Sequence, residues 1–271
     1  RDSSVTGVQT CALPILRNIG EMVNKGVEIQ LNADVVKVSD FVWSLNFNAS
    51  FNKNEVTKLY KGQQIIDGFT VIEEGKSIKT FYLRQWAGVN PADGMPMWYD
   101  GNHNITFAYP SSRDYSGQAL PKVYGGFGTS VSYKGVSLAA SFFYQYGNKI
   151  YENPFRILQS DGAFSNFNQM QAAMDRWQKP GDITDVPKRI YQNPTSSNAA
   201  STRWLMDGSY IRLKSLVLSY DLPKSIVSKA KIGSVRIYAQ GTNLWTTKYP
   251  GMDPEQGNDG DTWFQYPNAK T

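Results

Sequence analysis

The stretch Gly26–Asn52, GVEIQLNADVVKVSDFVWSLNFNASFN, has the clearest pattern in the chain. Apolar and polar side chains alternate along two runs, Val27–Val35 and Phe41–Asn52, which a short polar turn at Lys37–Asp40 separates. Successive side chains of a strand point to opposite faces of a sheet, so each run predicts a strand with one apolar and one polar face. Each run is about ten residues long, the length that a tilted strand needs to cross a bilayer. The stretch therefore predicts a hairpin in the wall of a transmembrane β-barrel, although half-buried strands of soluble sheets also alternate.

The composition excludes several classes of function. Of the 271 residues, 41% are hydrophobic and 13% are aromatic, and the mean hydropathy is -0.43. No run approaches the roughly 18 apolar residues of a membrane helix, but barrels hide their apolar residues in alternation. The net charge of +5 is spread along the chain without a basic stripe, so we expect no nucleic-acid partner. One cysteine and one histidine leave little material for Cys/His metal sites or for thiol chemistry. We expect no cofactor, no metal and no enzymatic activity.

Alternation recurs along the rest of the chain and, with the opening hairpin, predicts about eight strands, each antiparallel to its neighbours. After the opening hairpin, the predicted strands are Ser77–Val89, Met95–Asp100, Gly125–Tyr133, Val136–Tyr146, Ser209–Tyr220 and Ser234–Leu244. The phase of the apolar residues slips within Ser209–Tyr220, which predicts a β-bulge near Lys214–Ser215. Apolar residues at helical spacing predict one short helix within Phe164–Trp177.

The connections between these strands alternate in length. The short ones are Lys37–Asp40, Asn90–Gly94, Lys134-Gly135 and Asp221–Gly233. The long ones are Lys53–Lys76, Gly101–Pro121, Gly147–Asp207 and the residues after Leu244. Short periplasmic turns and long external loops are typical of outer-membrane barrels, whereas a soluble sandwich has no reason to sort loop length by strand parity. The predicted fold is therefore an all-β, antiparallel transmembrane β-barrel, present in part.

A set of short motifs resembles the C-terminal barrel of SusC/RagA-like TonB-dependent outer-membrane transporters of Bacteroidota. In chain order they are Asn18-Ile19-Gly20-Glu21-Met22, Asn24-Lys25-Gly26-Val27-Glu28, Trp86-Ala87-Gly88-Val89-Asn90-Pro91, Gly94-Met95-Pro96, Arg176-Trp177, Pro180-Gly181-Asp182, Ser201-Thr202-Arg203, Tyr210-Ile211-Arg212-Leu213-Lys214, Asn243-Leu244 and Tyr249-Pro250-Gly251-Met252-Asp253-Pro254-Glu255. No single motif is specific, but the ordered set covers nearly all of Arg17–Thr271. By this resemblance, residues 17–271 are expected to be the C-terminal part of a larger plugged barrel, truncated at both ends.

The resemblance also implies a function and partners. Such transporters import bulky nutrients, oligosaccharides or peptides, across the outer membrane. A SusD-like surface lipoprotein caps the external loops, and the TonB complex acts on a plug domain that this sequence lacks. Outer-membrane lipid would then surround the apolar face. The two rival interpretations are a passive outer-membrane barrel and a soluble β-sandwich that binds glycans.

Residues 1–16 carry a different resemblance. The stretch Val5–Ile15, VTGVQTCALPI, is similar to the translation of a sequencing-library adapter. We therefore expect residues 1–16, including Cys11, to be non-native.

Several residue clusters are candidate sites. Four tryptophans lie in or beside the long loops: Trp177, Trp204, Trp245 and Trp263. They are our candidate ligand contacts, because a flat aromatic face suits a sugar ring, and the alternative is the interfacial aromatic girdle at a barrel rim. Trp86, Trp98 and Tyr99 lie near the Asn90–Gly94 turn and are interpreted as a periplasmic aromatic girdle. The acidic loop Asp253–Asp261 has oxygen ligands but not the spacing of a calcium loop, so a solvated loop is the preferred interpretation. His103 has no evident catalytic partners.

Overall fold

The computed structural model describes residues 20–164, 166–247, 249–255, 262, 264 and 267–271. The predicted non-native segment, residues 1–16, lies outside these residues. Six long strands form one antiparallel sheet, here called the wall sheet: β1 (Gly20–Val38), β2 (Phe41–Leu59), β10 (Val123–Tyr133), β11 (Val136–Tyr146), β14 (Tyr210–Asp221) and β15 (Arg236–Thr246). Their order in space is β1-β2-β10-β11-β14-β15, so each strand follows its sequence neighbour within the wall.

The register places the apolar residues of all six strands on one face. Leu45 lies opposite Ala33 on one side and Thr129 on the other. Farther across the sheet, Leu138 lies opposite both Val131 and Leu218. These side chains are not covered: Leu138 is 46% exposed and Leu218 is 52% exposed. An uncovered apolar face disagrees with the soluble sandwich, which would bury it against a second sheet.

The opposite face of the wall sheet is polar or small. Asn46 pairs with Asn32 and Gly128, and Ser141 pairs with Gly128 and Ser215. The predicted bulge is confirmed, since the pairing of β14 with both neighbours skips Lys214. This one extra residue restores the phase, so that Leu213 and Leu216 share the apolar face.

The connections at one end of the wall sheet are short, and those at the other end are long. At one end β1 joins β2 through Ser39-Asp40, and β10 joins β11 through Lys134-Gly135. Both residues of the second turn have positive φ, 46° and 86°, as a tight hairpin turn requires. The third connection at this end carries the short helix α2 (Lys224–Val227) and a 3₁₀ turn at Ser228–Ala230.

Two long insertions emerge from the other end. The first insertion, residues 60–122, contains a 3₁₀ turn at Tyr60–Gly62 and the strands β3 (Ile65–Asp67), β4 (Thr70–Ile72), β5 (Thr80–Leu83), β6 (Trp86–Val89), β7 (Pro96–Tyr99), β8 (Ile105–Thr106) and β9 (Asp114–Gln118). The second insertion, residues 147–209, contains β12 (Lys149–Tyr151), α1 (Asn153–Leu158), β13 (Leu205–Asp207) and 3₁₀ turns at Gln171–Asp175 and Thr202–Trp204. Strands β3-β4-β5-β9, β6-β7-β8 and β12-β13 form three small sheets.

The two insertions share one hydrophobic core. Phe81 and Leu83 from the first insertion pack with Tyr151 and Trp204 from the second, and all four are at most 2% exposed. Phe69 stacks on Tyr151 with ring centroids 3.9 Å apart. Buried aromatic contacts of this kind favour a fixed arrangement of the two insertions over the end of the wall sheet.

Several expectations need correction. Six strands, not about eight, form the wall sheet, because β2 pairs directly with β10. The predicted strands Ser77–Val89 and Met95–Asp100 become short strands of the first insertion, so Asn90–Gly94 is not a turn of the wall. The predicted loop Lys53–Lys76 begins too early, since β2 continues to Leu59. Within Phe164–Trp177, the described residues form only the 3₁₀ turn at Gln171–Asp175, and the α-helix lies earlier, at Asn153–Leu158.

No helix among the described residues has both the length and the apolar character needed to cross a bilayer.

Candidate functional site

The candidate site is the end of the wall sheet from which the two insertions emerge. Here the polar face runs into the insertions, and buried charges hold the connecting segments in place. Arg212 lies on the polar face of β14, opposite Phe143 and Thr246. Its side chain is 5% exposed, and its Nε donates to Thr246 Oγ1 at 2.9 Å. A buried guanidinium requires anionic partners, and the segment after β15 supplies them.

Asp253 and Glu255 both pair with Arg212, and Glu255 also pairs with Lys214. Asp253 Oδ2 lies 3.0 Å from Arg212 Nη2, and Glu255 Oε2 lies 3.2 Å from Arg212 Nη1. The bulge residue Lys214 reaches the Glu255 carboxylate at 2.7 Å. Asn268 donates its backbone N–H to Asp253 at 3.2 Å and its amide to Glu255 at 2.6 Å. The cluster therefore fastens the segment after β15 to the polar face of β14.

This pairing bears on the acidic loop. The Asp253 and Glu255 carboxylates are engaged by cationic side chains, whereas a metal ion needs its ligands free to coordinate it. No group of three or more potential metal ligands occurs among the described residues. Asp259, Gly260 and Asp261 of the same loop lie outside them.

A second buried ion pair organises the second insertion. Arg203 Nη1 lies 2.5 Å from Asp161 Oδ2, and both side chains are at most 5% exposed. Ser197 donates its hydroxyl to the same carboxylate oxygen at 2.6 Å. The Arg203 guanidinium also lies over the rings of Trp204 and Trp86, at 4.3 Å and 5.1 Å from their centroids. The ion pair with Asp161 and the contact with Trp204 lie within the second insertion, and the cation–π contact with Trp86 links Arg203 to the first insertion.

A buried carboxyl group lies where the second insertion meets the segment after β15. Glu152 is 0% exposed, and Thr262 Oγ1 donates to its Oε2 at 2.8 Å. Burial raises the pKa of Glu152, and the hydrogen bond from Thr262 offsets part of that effect. A Cβ at Gly251 would lie 1.9 Å from Glu152 Oε1, so the absence of a side chain at Gly251 makes room for the carboxyl. Burial also raises the pKa of Tyr249 nearby, with Glu152 as the second cause.

The comparison with known proteins agrees with this architecture. No family model matches the chain. TonB-dependent receptor P3 of Formosa agariphila is 31% identical over an alignment that covers 94% of this chain and 28% of that receptor. TonB-dependent receptor SusC of Bacteroides thetaiotaomicron is 26% identical, over 94% of this chain and 26% of that protein. The solved structure of the RagAB peptide transporter superposes with a TM-score of 0.81 and 31% identity, covering 94% of this chain and 29% of that one.

The chain is homologous to part of the SusC/RagA-like TonB-dependent receptors. It spans little more than a quarter of the length of the curated relatives it matches. The fold is all-β and antiparallel, and its wall sheet is an arc of a transporter barrel. In such a barrel the uncovered apolar face is the outer surface, and the polar face, with Arg212, is the inner surface.

The predicted ligand-contact tryptophans occupy three different environments. Trp177 is half-buried, and its Nε1 donates to Pro91 O at 2.9 Å. Trp204 is 2% exposed in the core that the insertions share. Trp245 is 50% exposed on the apolar face of β15, opposite Leu213. Trp263 lies outside the described residues.

Among the described residues, no ring contact or hydrogen bond connects one of these tryptophans with another. Their role as ligand contacts stays a prediction. The sequence did not predict the burial of Arg203, Asp161 or Glu152, although Arg203 belongs to the motif Ser201-Thr202-Arg203, because burial of a polar residue within a long loop leaves no periodic signal.

The interpretation of Trp86, Trp98 and Tyr99 as a periplasmic girdle is wrong. These residues lie on β6 and β7, in the first insertion and at the opposite end of the wall sheet from the tight turns. Trp98 is 0% exposed, and it packs edge-on against Trp86 with ring centroids 4.8 Å apart. Trp98 is therefore part of the packed interior of the first insertion, whereas Tyr99 is 36% exposed. His103 is exposed and lies 3.8 Å from Asp114, and within the described part of the chain it belongs to no recognisable catalytic set.

Proposed function

We propose that this chain supplies barrel wall and external loops to an energised importer of the outer membrane, and that residues 17–271 belong to the C-terminal part of that barrel. The importer takes up bulky oligomers, oligosaccharides or peptides, and it catalyses no reaction. The wall sheet lies in outer-membrane lipid, with its tight turns toward the periplasm and its two insertions outside.

One observation carries this proposal above the others: a single wall sheet combines an uncovered apolar face with two large, ordered insertions at one end. Lipid requires the first feature, because an apolar surface of this extent is unfavourable in water. The second feature fits a protein that handles large ligands from outside. The relatives named TonB-dependent receptors support an energised mechanism, and the RagAB peptide transporter supports peptides as one substrate class.

The partners follow from the same proposal. A SusD-like surface lipoprotein covers the two insertions, and the TonB complex pulls on a plug domain elsewhere in the receptor. The core that the insertions share gives such a lipoprotein a fixed surface to bind. Closure by a partner also explains why large loops are kept rigid by buried pairs such as Arg203 with Asp161.

The test is uptake by cells that express the intact receptor with its neighbouring lipoprotein. Fluorescent oligosaccharides and peptides are offered to cells with and without TonB, and an affinity tag on the receptor is used to recover bound proteins. We expect uptake of one class of oligomer, loss of that uptake without TonB, and recovery of the lipoprotein. Uptake that persists at the same rate without TonB would instead establish a passive barrel.

A further inference from the structure

A cleft rich in lysine lies where the polar face of the wall sheet meets the insertions. It has a volume of about 600 Å³, and its lining includes four lysines, Lys53, Lys76, Lys122 and Lys149. We call it the lysine cleft. Asn52 N–H donates to Lys122 O at 3.2 Å, which fixes the cleft at the last rung between β2 and the strand entering β10.

The cleft carries excess positive charge. No Asp or Glu is among its lining residues. Lys53 is paired with Glu55 at 2.6 Å, and Lys149 approaches Asp207 only to 3.9 Å. Within the described part of the chain, no carboxylate oxygen lies within 4 Å of the ammonium groups of Lys76 or Lys122. Two lysines are therefore left for an external anion, and a third is weakly paired.

The side chains of Lys122 and Lys149 pack closely against two glycines, Gly147 and Gly117. The Cβ that a residue other than glycine would place at position 147 would lie 3.1 Å from the Lys122 side chain. At Gly117 the corresponding distance to Lys149 Cγ is 3.0 Å. Both glycines have positive φ, 83° and 106°, which other residues rarely adopt. The stems of Lys122 and Lys149 thus lie directly against the backbone.

An aromatic ring positions the third lysine. The Lys76 ammonium lies 4.2 Å from the centroid of the Tyr115 ring. The Tyr115 hydroxyl donates a short hydrogen bond to Glu73, and this bond raises the pKa of Tyr115 to about 12. Tyr115 is therefore neutral near pH 7 and does not neutralise Lys76.

The floor of the cleft is polar and fully connected. Asn54, 9% exposed, donates to Asn24 Oδ1 at 2.8 Å and accepts from Ile78 N at 2.8 Å and from Ser77 Oγ at 3.3 Å. Thr80 donates to Ser77 O at 2.7 Å. A satisfied network of this kind is rigid, so the lysines project from a fixed base.

We propose that the lysine cleft binds carboxylate groups carried by the oligomer that the receptor imports. The proposal rests on the proposed function and narrows its substrate to acidic oligomers. Lysine ammonium groups are compact, strongly hydrated charges that attract oxyanions without demanding one geometry. Several of them around one concave surface also raise the local concentration of an anionic ligand.

The experiment measures binding to the intact receptor, purified in detergent with its lipoprotein, by titration calorimetry. Four probes are used: trigalacturonic acid, tri-glutamic acid, and the neutral counterparts maltotriose and N-acetyl-trialanine amide. We expect at least one acidic trimer to bind more tightly than its neutral counterpart. The combined variant Lys76→Gln and Lys122→Gln is expected to weaken that binding about tenfold and to leave neutral probes unaffected.

The matched control is Lys61→Gln. Lys61 lies at the same end of the wall sheet and also stacks on a tyrosine, Tyr60, at 5.3 Å, but it does not line the cleft. The Lys61→Gln variant should leave the affinities for all four trimers unchanged. Which acidic trimer binds tells whether the oxyanion is carried on a sugar or on a peptide.

Two results would overturn the proposal: equal affinities for acidic and neutral trimers, or an unchanged affinity in the combined variant. Either result, together with TonB-dependent uptake of a neutral oligomer, leaves the proposed function standing. Absence of any TonB-dependent uptake removes the proposed function instead.

Discussion

A charge on the apolar face of β2 should destabilise the receptor far more than the same charge one residue away. Leu45 projects from the apolar face, where it lies opposite Ala33 and Thr129 and is 39% exposed in the isolated chain. Asn46 projects from the polar face, opposite Asn32 and Gly128. The two residues are adjacent on β2 and lie at nearly the same depth in the membrane. Leu45→Arg and Asn46→Arg therefore differ mainly in the face of the sheet that receives the charge.

The depth of Leu45 sets the magnitude. It lies four residues from Phe41, the first residue of β2 after the tight turn. At ~3.3 Å per residue and a tilt of ~40°, that is ~10 Å along the membrane normal. The apolar band of such barrels is ~25 Å tall, so Leu45 is within a few Å of the midplane. Arginine at the midplane costs ~2–4 kcal/mol, and we expect Leu45→Arg to cost that much.

On the polar face the cost should be small. The glycine at position 128 leaves room beside Asn46, since a Cβ there would come within 2.9 Å of the Asn46 amide. An arginine at position 46 keeps its guanidinium in water, so we expect a cost below ~1 kcal/mol. The assay is denaturant unfolding of the intact receptor in phospholipid vesicles, with the midpoint converted to a free energy of unfolding. Equal costs at the two positions would refute the assignment of the faces.

Two further predictions concern buried charges of the second insertion. Arg203→Met should destabilise the insertion by ~3–5 kcal/mol, because it leaves Asp161 buried without its cation, and adding Asp161→Asn should recover part of the loss. Limited proteolysis of the insertion measures the stability of both variants. A double variant that is no more stable than Arg203→Met would contradict the pairing. Glu152 binds its proton more tightly when folded, because burial raises the pKa of Glu152 above its ordinary value of 4.5, so wild-type stability should fall as pH rises from there through the raised value. Glu152→Gln should flatten that decline in thermal unfolding between pH 5 and pH 8, and an unchanged slope would show that the carboxyl is not the cause.

The wall was largely predictable from sequence because its strands obey a period of two. Gly26–Asn52 predicted the first hairpin, and the phase slip near Lys214 predicted the bulge. Val136–Tyr146 matches β11 at both ends. These features are local, so a single sequence contains the signal.

The insertions were less predictable for a physical reason. Ser77–Val89 and Met95–Asp100 have strand composition, but alternation does not say which strand is the partner. Inside the first insertion β6 pairs with β7, and β5 pairs with β4 and β9. The wall strand β2 instead pairs with β10 across the long gap. Similarly, the tryptophan at position 98 looks interfacial by its sequence context, and only its tertiary contacts show that it is buried.

In the proposed barrel, one face of the wall sheet meets lipid and the other meets water. The most direct measurement uses nitroxide labels at Leu138 and Ala139, neighbours on β11 that project from the apolar and the polar face. In the intact receptor in vesicles, the label at 138 should collide mainly with oxygen, which partitions into lipid, and the label at 139 mainly with a water-soluble nickel chelate. Equal access of the nickel chelate to both labels would contradict the assignment of the apolar face to lipid.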